Sequence, residues 1–209
     1  MSCERVLALG LVLAGLACAG PIVDDEVLEI DPKTLARVAV APFLPASDFR
    51  GNDEPGVTAG GEAAEAAALT TRIAGEALAA AGFAVIPASD VARVFEAKGE
   101  VVPHGDAAAF AEAAAREFGA TSVLLGKAYR YRERQGLTGP ASVGYELALH
   151  AAPDARVLWT ARFDHTQKML SEDLFGVLRY PGAGSRWMSA AELARWGADA
   201  AAARLAELR

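Results

Sequence analysis

The chain has 209 residues, a formal net charge of −7, 53% hydrophobic residues and two cysteines. An acidic balance argues against general nucleic-acid binding, which needs a basic footprint. A chain of this length suits one domain that buries about two-thirds of its unfolded surface, although alanine inflates the hydrophobic share.

The first element is "VLALGLVLAGLACAG", uncharged from Val6 to Ala19. It is shorter than the roughly 20 apolar residues that cross a bilayer, and Asp24, Asp25 and Glu26 stop its extension. A short apolar run ending in small residues reads as a secretory signal peptide over 1–17. The n-region "MSCER" is weakly charged, because Glu4 offsets Arg5. A buried N-terminal helix is the alternative, but no amphipathic period marks an inner face. With Cys3 removed in the signal, Cys18 is the last thiol, so the mature domain has neither a disulfide nor a catalytic cysteine.

Residues 18–35 read as a tether, with "PIVDDEVLEIDPK" leading away from the membrane, and 36–209 as one domain. "RVAVAPFL" (Arg37–Leu44) is the first strand, with Pro42 near its end. The polar "PASDFRGNDEPGVTAGG" is a long loop. An alanine-rich helix from Glu62 to Ala81 places Leu69, Ile73 and Leu78 at near-helical spacing, and Gly82 follows as its stop. "FAVIP" is a short buried strand, after which Ser89 or Asp90 caps a helix holding Val91, Val94 and Phe95. Asp106 opens a third helix, closed by Gly119.

The second half changes period. Thr121–Arg134 reads as a long strand. "ASVGYELALHA" and "RVLWTARFDHTQ" both alternate, with Val143, Tyr145, Leu147 and Leu149 on one face, and Val157, Trp159, Ala161 and Phe163 on one face. The "APDA" between them predicts an antiparallel hairpin. After a short helical piece and a Gly-rich loop, Ser189 and Glu192 have capping-box spacing for a last helix reaching about Leu208. The order β-α-β-α-α-β-β-β-α predicts a single α/β (α+β) domain, helices packed on a mixed sheet of about five strands.

With the signal in front, this order resembles a group of bacterial envelope lipoproteins. The group includes the curli-secretion channel lipoprotein CsgG, the penicillin-binding-protein activator LpoB and the N-terminal domain of TolB. The resemblance is carried by "VAVAPFL", "IAGEALAAAGFAVIP", "AREFGATSVLLGKAYRYRER", the hairpin and the last helix, with Gly119, Ala120 and Gly126 matching a G-A-x-hydrophobic-run-G pattern. It covers most of the mature chain, and its motifs are structural, so it speaks to fold more than function. It also implies a lipobox in Gly15–Cys18, with lipid on Cys18; Gly15 stands where Leu is usual. Two or more acyl chains would anchor the domain stably, since one chain alone is marginal. Ala19 after the cysteine implies the outer membrane. An ordinary signal-peptidase site, leaving a soluble periplasmic protein, is the other reading. No long alternating segment is left for a transmembrane barrel of the curli-channel kind.

No catalytic constellation stands out. His104, His150 and His165 lie on separate elements, and a metal site drawn from Asp164, His165 and Glu172 is weaker than a strand end followed by a helix cap. "GAGSRW" lacks the Gly-x-Ser-x-Gly elbow, and no phosphate-binding glycine loop is present. No cofactor is therefore expected. "YRYRER" predicts Arg130, Arg132 and Arg134 on one strand face with Tyr129 and Tyr131 on the other. Such a stripe could meet a carboxylate-rich partner or an anionic glycan, and equally could be a solvated strand end. Phe175, Tyr180, Arg186 and Trp187 surround a Gly-rich turn and are residue types that dominate protein–protein contacts. The expected function is a non-enzymatic, lipid-anchored envelope lipoprotein that binds a protein partner, with oligomerisation open. The alternative is a periplasmic small-ligand or glycan-binding module.

Overall fold

A computed structural model describes residues 23–28, 30–51, 60–135, 139–167 and 187–209. The strands are β1 (Val23–Val27), β2 (Val38–Val40), β3 (Leu44–Arg50), β4 (Val85–Ile86), β5 (Ser122–Arg132), β6 (Ser142–Ala151) and β7 (Val157–Thr166). The helices are α1 (Gly60–Ala80), α2 (Ala88–Ala97), α3 (Ala107–Phe118) and α4 (Ala190–Ala206). They form one α+β domain around a seven-stranded mixed sheet of order β1-β7-β6-β5-β2-β4, with β3 also alongside β5. The β5–β6–β7–β1 part is antiparallel, and β2, β3 and β4 add parallel pairings.

The alternating runs of the second half behave as their period requires. Val143, Tyr145, Leu147 and Leu149 of β6 are all buried, as are Trp159, Ala161 and Phe163 of β7; Val157 remains exposed at the hairpin end. These side chains join α1 and α4 in the main core. Alanine in both helices lets them sit close to the sheet. Gly197 of α4 marks the closest approach, because a Cβ there would lie 2.5 Å from the Phe163 ring. Tyr145 uses the same proximity, its hydroxyl donating to the Ala194 carbonyl at 3.0 Å. On the opposite face, α2 and α3 cover a smaller cluster built on Ala39, Ala41, Ile86 and Val123.

The helix ends follow local chemistry. Ser189 and Glu192 form the reciprocal capping box at the start of α4. Asp106 accepts from the Ala108 and Ala109 amides, and Gly119 ends α3 in the left-handed region at φ 61°. At α2 the outcome differs from expectation: Pro87 holds the cap position without a side-chain bond, and Asp90 pairs instead with Arg93 at 3.0 Å.

Two strands were not expected. Val23–Val27, read above as tether, forms β1 against β7, with Asp24 opposite Arg162 and Val27 opposite Trp159. The polar Leu44–Arg50, read as loop beyond Leu44, forms β3 against the second half of β5. Thus β2 and β3 line one edge of β5 in succession, and the break between them seats Phe43. The Phe43 amide donates to Thr71 Oγ1 at 2.9 Å, and its ring lies over Gly126, where a Cβ would come within 2.5 Å. That contact gives Gly126 of the expected pattern a packing role.

Candidate functional site

Helices α2 and α3 cover the sheet over β2, β4, the start of β5 and the adjoining end of β6, so the same face of β1, β7, the rest of β6 and the far half of β5 carries no helix among the described residues. A β-bulge sets the chemistry of this face. The β5–β6 register shifts between Ala128 and Arg130, so Tyr129 is the extra residue. Because of it, Tyr129 and Arg130 share the uncovered face, whereas Tyr131 turns to the α4 core. Strict alternation had placed both tyrosines together, away from Arg130. Gly144, opposite Arg130, leaves room for the Tyr129 ring, which any side chain there would strike.

Around the bulge lies an ionic network. Arg130 pairs with Asp164, and Arg162 reaches Asp164 at 3.7 Å and Glu146 at 3.3 Å. Arg162 Nε also donates to the Tyr129 hydroxyl at 3.1 Å, which in turn donates to the Phe163 carbonyl. The Arg162 guanidinium stacks 4.9 Å above the Tyr129 ring. Burial raises the pKa of Tyr129 and lowers that of Arg130; the hydrogen bond that Arg162 donates to Tyr129 raises its own. The upward shifts hold Tyr129 as the neutral phenol and Arg162 as the cation. Beside the network runs an open groove of about 860 Å³, bordered by Asp24, Glu26, Lys127, Glu146, Arg162 and, at the α3 side, His104.

The expected arginine stripe is divided among separate tasks. Arg130 belongs to the network, Arg132 Nε donates to the Gly51 carbonyl at 2.8 Å, and Arg134 stacks 4.8 Å from the Trp187 ring. Glu133, between them, accepts from the Ala190 amide at 3.0 Å and so helps hold the start of α4. The structure therefore joins Arg134 to Trp187, two residues expected at different places. Cys18, Phe175, Tyr180 and Arg186 lie outside the described residues. Asp164 and His165 point to opposite faces: the His165 ring packs on Phe163 and Trp196 while Asp164 meets the arginines. Among the described residues, no group of three His, Cys, Asp or Glu side chains could hold a metal. Tyr129, Glu146 and Arg162 were missed as a group; the polar positions of "ELALH" and "TARFDH" were the available signal, but only the register aligns them.

No family model matches the chain, and no curated protein matches its sequence. Among solved structures it is similar to a PelC dodecamer from Paraburkholderia phytofirmans, with 17% identity, 88% of this chain and 98% of that chain covered, and a TM-score of 0.48. It is also similar to the lipoprotein GNA1162 from Neisseria meningitidis, with 19% identity, 63% and 83% covered, and a TM-score of 0.41. The C-terminal domain of LpoB from Salmonella enterica shows 15% identity, 64% and 84% covered, and a TM-score of 0.36. The solved structures it resembles thus include bacterial lipoproteins. At these identities the likeness is one of fold, and below a TM-score of 0.5 it carries no ligand, partner or assembly to this chain.

Proposed function

We propose that the chain is a bacterial envelope lipoprotein, anchored by lipid on Cys18, whose non-enzymatic periplasmic domain binds a protein partner. The observation that carries the anchor is the small-residue box ending in Cys18, followed five residues later by the first strand of the domain at Val23. Five residues span at most about 18 Å, so the anchor would hold the domain close to the membrane rather than on a long stalk. Among the described residues no helix is long and apolar enough to cross a membrane. Partner binding is supported by the uncovered sheet face, whose arginines are already matched by carboxylates and a carbonyl. A matched ionic network recognises shape and charge pattern; it offers no activated nucleophile beside a base.

The second reading, a small-ligand or glycan-binding module, has the groove beside Lys127 and Arg162 in its favour. It is weakened because Arg130 and Arg162 are engaged internally.

The test of the anchor is the intact mass of protein from the membrane fraction beside a Cys18→Ser variant. A species beginning at Cys18 with acyl mass, absent from the variant, is expected. An unacylated soluble protein cut near Ala17 would refute the anchor and leave a free periplasmic binder.

A further inference from the structure

We infer that the outer edge of β1 takes up an extended, basic segment of a partner protein as an added strand; this rests on the partner-binding reading, not on the lipid. β1 lies at the margin of the sheet and pairs with β7 alone among the described residues. The Leu28 amide donates to the Leu158 carbonyl at 3.0 Å, which fixes the phase of the pairing. Alternation then turns the N–H and C=O groups of Val23, Asp25 and Val27 outward, a ready template for another strand.

The charge of the edge selects the occupant. Asp24, Asp25 and Glu26 are exposed, and none forms an ion pair among the described residues; Asp25 accepts only from the Trp159 indole at 3.4 Å. A second copy pairing through β1 would set these carboxylates against their own kind, and like charges across strands destabilise. Acidic residues therefore close the edge to self-association and leave it open to a basic strand. Asp24 and Glu26 border the groove, so lysines or arginines at alternate positions of an added strand would reach them on that face. Its intervening apolar residues would lie beside Val27, which with Leu28 gives the edge an exposed apolar end at 46% and 53% exposure.

The test uses the whole chain purified in detergent and a synthetic peptide of alternating valine and lysine, beside its valine–glutamate counterpart. Hydrogen exchange at the Val23, Asp25 and Val27 amides should slow at least tenfold with the lysine peptide only. Asp24→Lys with Glu26→Lys should weaken that peptide on the order of tenfold, from two cross-strand pairs turned repulsive. Asp25→Pro, which removes an outward N–H and no backbone bond to β7 but loses the long bond from the Trp159 indole, should abolish the protection at Val23 and Val27; Asp25→Ala, which loses only that indole bond, should keep it. Equal binding of both peptides, unchanged affinity in the double lysine variant, or protection elsewhere would overturn the inference. A β1-dependent dimer formed without peptide would overturn it in favour of a second copy. Acylation of Cys18 is read separately by mass, so the anchor and this edge can fail independently.

Discussion

The two faces of the sheet obey different rules. The face under α1 and α4 is apolar at nearly every inward position and is closed by small residues that let the helices approach. The uncovered face of β1, β7, most of β6 and the end of β5 is polar: Arg130, Arg162, Glu146 and Asp164 pair side chain to side chain, while Asp24 and Glu26 form no ion pair among the described residues. The difference shows where stability and recognition separate. Burial of large apolar groups dominates the first, whereas half-exposed ion pairs contribute little energy and fix geometry in the second.

The comparison can be broken hardest on the covered face. Trp159→Ala, at a site with 1% exposure, should cost about 3–5 kcal/mol in urea unfolding. Gly197→Val should cost about 1–3 kcal/mol, because the new side chain meets Phe163 and the Tyr145 hydroxyl; a shift in the near-ultraviolet aromatic signal should accompany it. Ser189→Ala removes one half of the capping box and should cost about 1 kcal/mol, read as a lower thermal midpoint. On the uncovered face, Asp164→Asn should cost about 0.5–1 kcal/mol, since its carboxylate is partly exposed yet matches Arg130 and Arg162. A larger loss there than at Gly197 would erase the distinction between the faces.

The smallest effect concerns pH. The Arg195 hydrogen bond holds the Glu76 carboxyl below the ordinary glutamate value, with Arg72 adding to it. A lowered folded-state pKa means its stabilisation is present above the usual glutamate range and lost as pH falls through the depressed value. Glu76→Gln should therefore reduce stability slightly at pH 7 and make acid unfolding between about pH 5 and 3 correspondingly shallower. The pair is exposed, so a change in urea midpoint close to the limit of measurement is expected.

Much of the architecture follows from local sequence. Period-two alternation in β6 and β7, the left-handed glycines after α1 and α3, and the Ser189–Glu192 cap each act within a few residues, so their physics is visible in one short stretch. What only the tertiary structure decided depends on distant partners. "VDDEV" is too acidic, and "LPASDFR" too polar and proline-bearing, to read as strand; pairing with β7 and β5 overrides those propensities. The candidate site was legible only as a run of arginines. One bulged residue at Tyr129 reversed its facing, and the β6–β7 register brought Glu146, Arg162 and Asp164 to it from two other strands. Register is set by long-range pairing and by the apolar face it must bury, so no window of sequence contains it.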